Sequence, residues 1–267
     1  ADGAVPMMVI GTAGSVSTGA VDPLEAIAGV CREEQVWFHV DGAYGGFAAA
    51  VSDAPAELGN LGLADSVAVD PHKWLYAPLE AGCVLVRDET ALRETFSYSP
   101  PYYPDKDEES EEPPIFYHEF GPQNSRGFRA LKVWLALRQA GRDGYVEMIR
   151  DDIAMARRMY DLAEADPEME AVTHNLSVTT FRFVPRGMDK DRAGADDYLE
   201  RLNRAILGRM QQEGEAFVSN AVVNGTYLLR ACVVNFRTET ADVDALMDIV
   251  RRLGREIDAA ERPPDLA

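Results

Sequence analysis

The chain has 267 residues, enough for one large or two modest domains, and 46% of them are apolar, which is ample for a hydrophobic core. Its formal net charge of −19 argues against nucleic acids and anionic membranes as partners. No apolar run approaches the roughly 18 residues of a membrane-spanning helix, so the sequence predicts none.

The three cysteines, Cys31, Cys83 and Cys232, are odd in number and far apart in the sequence. Such spacing is typical of reduced thiols in a core and not of a disulfide framework. The first residues also lack the basic and apolar segments of a secretory signal. We therefore expect a cytoplasmic protein whose cysteines are reduced core residues.

The first predicted elements form a strand–helix unit. Residues 6–10 are typical of a buried strand, and a loop rich in glycine and hydroxylated residues follows over 11–19. Ser15 and its neighbours are suited to bind an anion, although an ordinary turn explains the loop equally well. Asp22 has the position of a helix N-cap. The residues expected on the buried face of that helix are Leu24, Ile27, Ala28 and Cys31.

A second strand is predicted over 35–40, and Asp41 follows it directly. The order strand, helix, strand indicates a crossover unit in a largely parallel sheet. Open sheets of this kind bind their ligands at the carboxyl ends of the strands. Asp41 is therefore a candidate ligand-binding residue.

Lys73 lies in the motif Asp-Pro-His-Lys-Trp of residues 70–74, between two predicted buried strands at 65–69 and 82–87. A lysine held there loses part of its hydration, which favours the neutral amine that condenses with a carbonyl. The alternative is a lysine that extends to solvent from the end of a strand. The neighbouring motif around Asp41 favours the first interpretation.

Pyridoxal phosphate needs a lysine for its aldehyde and an acid for its ring nitrogen, and Lys73 and Asp41 supply both. Three sequence blocks carry a family signature: HVDGAYGG at 39–46, PHKW at 71–74 and FRALKVW at 128–134. The last block is rich in apolar helix formers. In order and spacing the three blocks resemble the group II pyridoxal-phosphate-dependent amino acid decarboxylases, which include aromatic amino acid, histidine and glutamate decarboxylases.

The resemblance implies an α/β protein with the type I fold of pyridoxal-phosphate-dependent transferases. Residues 1–140 would form the C-terminal part of the mainly parallel-sheet large domain, and residues 141–267 a small α+β domain. The family's N-terminal half, with its phosphate-binding loop and ring-stacking histidine, has no counterpart in the sequence. We expect either a fragment or a chain that pairs with another chain supplying those parts.

The resemblance also assigns roles around the cofactor. Lys73 would bind its aldehyde, Asp41 its ring nitrogen, Ala43 one face of its ring and His72 its phosphate. Asp70 stands where the family commonly has an asparagine near the phosphate, and a carboxylate there is unfavourable unless it is protonated or turned away.

The loop at 11–19 departs from the family as well. The threonine that usually approaches the cofactor corresponds to Val16, so a polar contact falls to Ser15 or Ser17.

Residues 97–117 are acidic and rich in proline, which predicts a mobile loop, either a surface insertion or an active-site lid. By resemblance, Tyr117 is the catalytic tyrosine that protonates the carbanion left by carbon dioxide, with the neighbouring subunit as an alternative source of this residue. The same resemblance implies a homodimer with shared active sites.

The remaining sequence predicts two helices, 128–139 and 145–165, separated by a break at 141–144. Their apolar residues are expected in the core, and include Leu131, Trp134, Leu135, Leu137, Met148, Ile149, Ile153 and Met159. The C-terminal elements are predicted as strand 177–184, helix 195–213, strands 216–219 and 227–236, and helix 241–259. By resemblance to glutamate decarboxylases, Arg230 would meet a substrate carboxylate, with a structural salt bridge as the alternative.

The sequence therefore predicts a pyridoxal-phosphate-dependent carboxy-lyase that converts an L-amino acid to an amine and carbon dioxide. Trp74 beside the lysine favours an aromatic substrate and is a candidate substrate-binding residue. The alternatives are other chemistry at the same carbanion (aldehyde synthase, aminotransferase or carbon–sulfur lyase), or an inactive fragment or dimerisation partner. No metal-ligand spacing is present.

Overall fold

The structure, a computed structural model, describes residues 3–98, 100 and 115–266. These residues form two four-stranded sheets with six α-helices around them. The strands are β1 (Met8–Thr12), β2 (Trp37–Asp41), β3 (Ser66–Val69), β4 (Cys83–Val86), β5 (Met169–Asn175), β6 (Val178–Phe183), β7 (Ser219–Val223) and β8 (Thr226–Cys232). The helices are α1 (Leu24–Glu34), α2 (Pro71–Trp74), α3 (Ala91–Phe96), α4 (Arg129–Ala165), α5 (Ala195–Glu213) and α6 (Thr240–Glu261).

The first sheet has the order β1-β2-β3-β4. Strands β1 to β3 are parallel, and β4 runs antiparallel to β3. The core beneath them contains Phe38 and Val40 from β2 and Leu24 from α1. The α/β fold class predicted from the sequence is confirmed, and the first strand lies two residues later than predicted.

The two outer strands of this sheet are more exposed than the sequence predicted. Met8 and Ile10 of β1 and Val84 and Leu85 of β4 are exposed, although both strands were expected to be buried. Each is an edge strand here, so one side of it has no neighbouring strand among the described residues. Cys83 of β4 is exposed for the same reason, which corrects its assignment to the core.

Asp22 is not the N-cap of α1. The helix begins at Leu24, and Pro23 holds the N-cap position without a side-chain hydrogen bond. Instead, the Asp22 carboxylate accepts a hydrogen bond of 2.7 Å from the backbone N–H of Thr12. The predicted buried face of α1 is confirmed for Leu24, Ala28 and Cys31, and Ile27 packs partly buried beside them.

Helix α4 breaks at Gly141, whose φ of 66° and ψ of 178° are not helical, as the sequence predicted. The part after the break is buried at Ile149 and Met159. The part before it carries exposed apolar side chains, so the core prediction was wrong there: Leu131, Trp134, Leu135 and Leu137. The physical reason is that no described element packs over this face.

The second sheet has the order β5-β6-β8-β7 and is antiparallel throughout. Helices α5 and α6 and the end of α4 pack against it around Phe181 and Phe183. Helix α5 has the predicted bounds, whereas β5 was missed. This second core is separate from the first, and α4 contributes to both. The domain boundary after residue 140 remains a proposal. None of the helices in the described ranges has the length and apolar character needed to span a bilayer.

Candidate active site

The carboxyl ends of the three parallel strands meet at one edge of the first sheet. The strand register sets Thr12 beside Asp41, and Asp41 beside Ala68. The loop after β1, the turn after β2 and helix α2 after β3 therefore leave the sheet together. This arrangement brings Lys73, on α2, to the same edge as Asp41, as the sequence predicted.

A cavity of about 620 Å³ opens at this edge. It brings together side chains from three strand ends of the first sheet and from β8 of the second. The described lining residues are Thr12, Gly14, Ser15, Val16, Asp41, Ala43, Tyr44, His72, Lys73, Arg230, Cys232 and Val234. Another cavity, of about 580 Å³, lies against Trp37, Asp65 and Arg87 and contains none of the predicted site residues.

Lys73 is 43% exposed, and its Nζ lies 2.9 Å from Asp70 Oδ2. Lys73 thus lies in the link between β3 and β4, as predicted, but the expectation that it loses its hydration there is wrong for this chain. Helix α2 is a single turn at the edge of an open cavity, so the long side chain reaches the cavity mouth instead of the core. Asp70 is not among the described lining residues, and its carboxylate is turned toward the lysine.

His72 precedes Lys73 in this turn and is half-buried. Its Nδ1 lies 2.7 Å from the carbonyl oxygen of Ala81, and a proton on Nδ1 makes that contact a hydrogen bond. The second ring nitrogen, Nε2, lies 3.9 Å from Asp70 Oδ2. The ring is thus held against Ala81, two residues before β4, while it lines the cavity.

Asp41 is the last residue of β2 and is exposed at the cavity. Its Oδ1 accepts a hydrogen bond of 3.1 Å from the backbone N–H of Ala43. The carbonyl oxygen of Ala43 in turn accepts one of 3.2 Å from the backbone N–H of Asp70. The turns that carry the acid and the lysine are therefore tied to each other through Ala43.

The loop after β1 is an ordered turn. The backbone N–H of Ser15 donates to Ala20, and Ser15 accepts from Gly19. The Ser15 hydroxyl lies 2.9 Å from that of Thr18. Ser15 and Val16 line the cavity, and Val16 is exposed toward it.

Trp74 is completely buried and is not among the described lining residues. Its ring stacks on Tyr44 with centroids 4.9 Å apart, and its Nε1 donates a hydrogen bond of 2.9 Å to Asp152 Oδ2. The expectation that Trp74 contacts substrate is therefore replaced by a packing role.

Of the two stacked rings, that of Tyr44 lines the cavity. The sequence did not single out Tyr44 as a site residue, although it lies inside the HVDGAYGG block. Its hydroxyl lies 2.7 Å from Ser177 Oγ and accepts a hydrogen bond of 3.0 Å from the backbone N–H of Ser177. Burial raises the pKa of this phenol far above its ordinary value. It is therefore a neutral hydroxyl that joins the first sheet to the β5–β6 turn.

Arg230 reaches the cavity from β8, together with Cys232, which the sequence did not mark as a site residue. One guanidinium nitrogen, Nη1, donates to Ser219 Oγ at 3.1 Å. The Nε–H is buried and has no hydrogen-bond partner among the described residues. A buried N–H donor that is left unused on a positively charged side chain favours an anionic ligand nearby.

Tyr117 lies on a 3₁₀ turn at Tyr117–Phe120 and is 72% exposed. It is not among the described lining residues of the cavity. Its carbonyl oxygen accepts a hydrogen bond of 2.9 Å from Arg126. Most of the predicted loop at 97–117 lies outside the described residues, so its prediction as a lid stays a prediction.

The residues of the cavity fit pyridoxal phosphate. The cavity is lined by an amine, a carboxylate and an alanine methyl group, which are the kinds of group that its aldehyde, ring nitrogen and ring face need. A Cβ added at Gly14 would lie 2.9 Å from the Tyr44 ring, so the loop packs closely there. The phosphate would have only Ser15 and His72 among the predicted residues. No cluster of metal-ligating side chains occurs in the described part of the chain.

Comparisons with known proteins agree with the fold. The model of the pyridoxal-dependent decarboxylase conserved domain matches residues 1–184. An aromatic-L-amino-acid decarboxylase of Bacillus atrophaeus is 34% identical over 96% of this chain and 52% of the relative. A phenylacetaldehyde synthase of a Rosa hybrid cultivar is 32% identical over 93% of this chain and 49% of the relative. The crystal structure of Oryza sativa TDC with PLP and tryptamine matches with a TM-score of 0.85 at 31% identity, over 96% of this chain and 52% of that chain. The chain thus spans about half the length of the relatives it matches.

Proposed function

The chain belongs to the family of pyridoxal-dependent decarboxylases, whose cofactor is pyridoxal phosphate, and from that premise we propose its reaction. The protein removes the α-carboxylate of an L-amino acid, with an aromatic one favoured, and releases an amine and carbon dioxide. The observation that carries this proposal is the presence of Lys73 and Asp41 in one cavity at the carboxyl edge of a parallel sheet.

The bound cofactor supplies an electron sink for the bonding pair released at the substrate's α-carbon. Lys73 would hold the cofactor through its aldehyde. Asp41 would keep a proton at the ring nitrogen, since a carboxylate beside it favours the protonated form. Ala43 would pack on the ring face, where its small side chain leaves room for a flat ligand, and Ser15 and His72 would contact the phosphate.

The proton that replaces carbon dioxide comes, in this proposal, from Tyr117. Because that residue does not line the cavity of its own chain, the donor is Tyr117 of a second copy in a homodimer. The exposed apolar face of α4 around Leu131 and Trp134 supports an association of this kind. All three cysteines are free thiols, which supports a reducing, cytoplasmic setting.

Two observations bear on the type of reaction and on the part of the substrate that is recognised. The similarity to a phenylacetaldehyde synthase keeps aldehyde formation as a second candidate reaction, whereas a tyrosine at position 117 favours simple decarboxylation. Arg230 in the cavity favours contact with a carboxylate of the substrate, either the one that is lost or one on the side chain.

The test is a product balance. The chain, loaded with pyridoxal phosphate, is incubated with tryptophan, tyrosine, phenylalanine, glutamate and histidine, and carbon dioxide and amine are both measured. The proposal predicts equal amounts of the two from an aromatic amino acid, and neither from Lys73→Ala. Carbon dioxide with an aldehyde in place of the amine would assign the second reaction. No turnover of any amino acid would contradict the proposal.

A further inference from the structure

Helix α2, which carries Lys73, is only four residues long, Pro71–Trp74. A single isolated turn is not stable in water, because helix nucleation is unfavourable and one turn gains few hydrogen bonds. Its position, and with it the direction of the Lys73 side chain, must therefore come from tertiary contacts. Several of those contacts are made by the residues that follow the lysine.

One face of α4 holds the segment after Lys73. Its buried residues Tyr145, Ile149 and Asp152 are spaced four and three apart, which places them on the same side of the helix. The Tyr145 hydroxyl donates a hydrogen bond of 3.0 Å to the carbonyl oxygen of Leu75. Asp152 contacts the residues on either side of Leu75.

The Asp152 carboxylate is the centre of this arrangement. Its Oδ2 accepts hydrogen bonds of 2.9 Å from Trp74 Nε1 and 2.7 Å from the Tyr76 hydroxyl. It also accepts one from the backbone N–H of Asn235, the residue that follows the cavity-lining Val234. No ion pair to Asp152 occurs in the described ranges, so three neutral donors satisfy a 2% exposed carboxyl group.

The backbone at Tyr76 shows how closely the segment is constrained. Its φ of 51° lies in the left-handed region, which a side-chain-bearing residue seldom adopts unless its surroundings hold it there. The Tyr76 ring packs on Tyr145 at 6.3 Å and against Phe236 at 5.3 Å between ring centroids. Removal of the Asp152 contact would release one end of this arrangement.

We propose that Asp152 is a positioning residue for Lys73: by holding Trp74 and Tyr76 it fixes helix α2, so that the Lys73 amine faces the cavity. This inference rests on the proposed function. The test therefore measures reaction of the lysines with the cofactor directly, without requiring turnover.

The chain has only four lysines, Lys73, Lys106, Lys132 and Lys190. The folded chain is incubated with limiting pyridoxal phosphate, reduced with borohydride, and digested for mass spectrometry, which gives the fraction of label on each lysine. The wild-type chain is expected to carry most of its label on Lys73. Misplacement of a reacting group by about 1 Å lowers its rate of reaction by as much as about 100-fold. The label on Lys73 in Asp152→Ala should therefore fall to about one tenth of the wild-type amount, or below it.

Asp152→Asn keeps a neutral acceptor in the same place, and should restore most of the labelling. Tyr76→Phe removes one of the two side-chain donors and serves if Asp152→Ala does not fold. The matched controls are Asp258→Ala and Tyr198→Phe, because the Tyr198 hydroxyl donates to Asp258 Oδ1 at 2.7 Å in the second core. If Asp152 only stabilised the fold, the Asp152 and Tyr76 variants and the two control variants should lose labelling of Lys73 to the same extent.

The outcomes separate the two proposals. Selective labelling of Lys73 in the wild type, lost in Asp152→Ala and kept in the controls, supports the positioning role. Selective labelling that survives in folded Asp152→Ala, or is lost equally in the controls, overturns the role and leaves the proposed function standing. Even labelling of the lysines in the wild type overturns both.

Discussion

The Lys73 ammonium group lies 2.9 Å from Asp70 Oδ2, three residues earlier in the chain. The pair closes the turn that contains helix α2. It also ties the amine to a carboxylate, and that contact must break before the amine can attack an aldehyde.

Asp70→Asn should therefore speed the reaction of Lys73 with pyridoxal phosphate. The pair is partly exposed, so it contributes at most about 1 kcal/mol, which corresponds to a rate increase of roughly two- to fivefold at neutral pH. Stopped-flow absorption after mixing with the cofactor gives the rate. Asp53→Asn, which removes a carboxylate 3.7 Å from Arg150 at the surface, is the control. An unchanged or slower rate in Asp70→Asn would show that the contact with Asp70 does not restrain the Lys73 amine.

Gly19 allows the β5–β6 turn to lie against the loop that lines the cavity. Its φ is +72°, and an added Cβ would lie 2.3 Å from the carbonyl oxygen of Asn175. Gly187 has the same kind of backbone, with φ +73°, but nothing within 4 Å of an added Cβ. Left-handed backbone alone costs an alanine about 1–2 kcal/mol, so Gly187→Ala should lose about that much stability.

Gly19→Ala should lose more, because the collision forces the two segments apart. It should also weaken binding of pyridoxal phosphate, because the displaced loop carries Ser15 and Val16 of the cavity. Urea unfolding gives the stability of the two variants, and a fluorescence titration gives the affinity. Equal losses of stability with unchanged affinity in both variants would contradict the close packing of this turn.

The buried Asp152 carboxyl group should make the free energy of unfolding of the chain depend on pH. Burial raises the pKa of its carboxyl group above 3.8, and hydrogen bonds from Tyr76 and Trp74 offset this only in part. From pH 3.8 up to that raised value, the folded chain holds a proton that the unfolded chain has released. The protonated carboxyl group therefore raises the free energy of unfolding at low pH. This contribution is lost as the pH rises through the window.

Asp152→Asn removes this titration. The stability of the variant relative to the wild type should increase as the pH is raised from about 4 to about 8. Chemical denaturation of both proteins across this range provides the measurement. A difference that stays constant with pH would mean that the Asp152 carboxyl group titrates alike in the folded and unfolded chains.

Arg230→Met should raise the KM for the substrate while changing kcat less, because the guanidinium acts in binding and not in the chemical step. A charge-assisted hydrogen bond contributes about 1.5–3 kcal/mol, so the expected rise in KM is roughly 10- to 150-fold. Arg237→Met, at an exposed arginine beyond the same strand, is the control. A rise for every amino acid would assign Arg230 to the α-carboxylate, and a rise for glutamate alone to the side-chain carboxylate. An unchanged KM would remove Arg230 from the substrate site.

The sequence predicted those parts of the site that depend on local pattern. Asp41 and Lys73 each follow a strand, and parallel strands bring their carboxyl ends to one edge, so their shared cavity follows from short-range signals. Helix α5 was predicted with its observed bounds because its apolar residues recur at helical spacing and Gly214 ends it in the left-handed conformation.

The parts that were wrong depend on distant contacts. Trp74 is buried because its indole N–H meets Asp152, 78 residues later, and no local pattern reveals that. Tyr44 was missed because its partner, Ser177, lies 133 residues away. Strand β5 was missed because its sequence, MEAVTHN, alternates only weakly between apolar and polar residues. The exposure of Val84, Ile10 and Trp134 depends on which elements cover them, which the sequence of this chain does not encode locally.

Lys73 is proposed to hold pyridoxal phosphate in the cavity. The visible absorption spectrum of the purified chain with pyridoxal phosphate, before and after dialysis, tests this beside Lys73→Ala and Lys132→Ala. We expect a band from lysine-bound cofactor that survives dialysis in the wild type and in Lys132→Ala and is absent from Lys73→Ala. No band in the wild type, or a band of equal strength in Lys73→Ala, would contradict it.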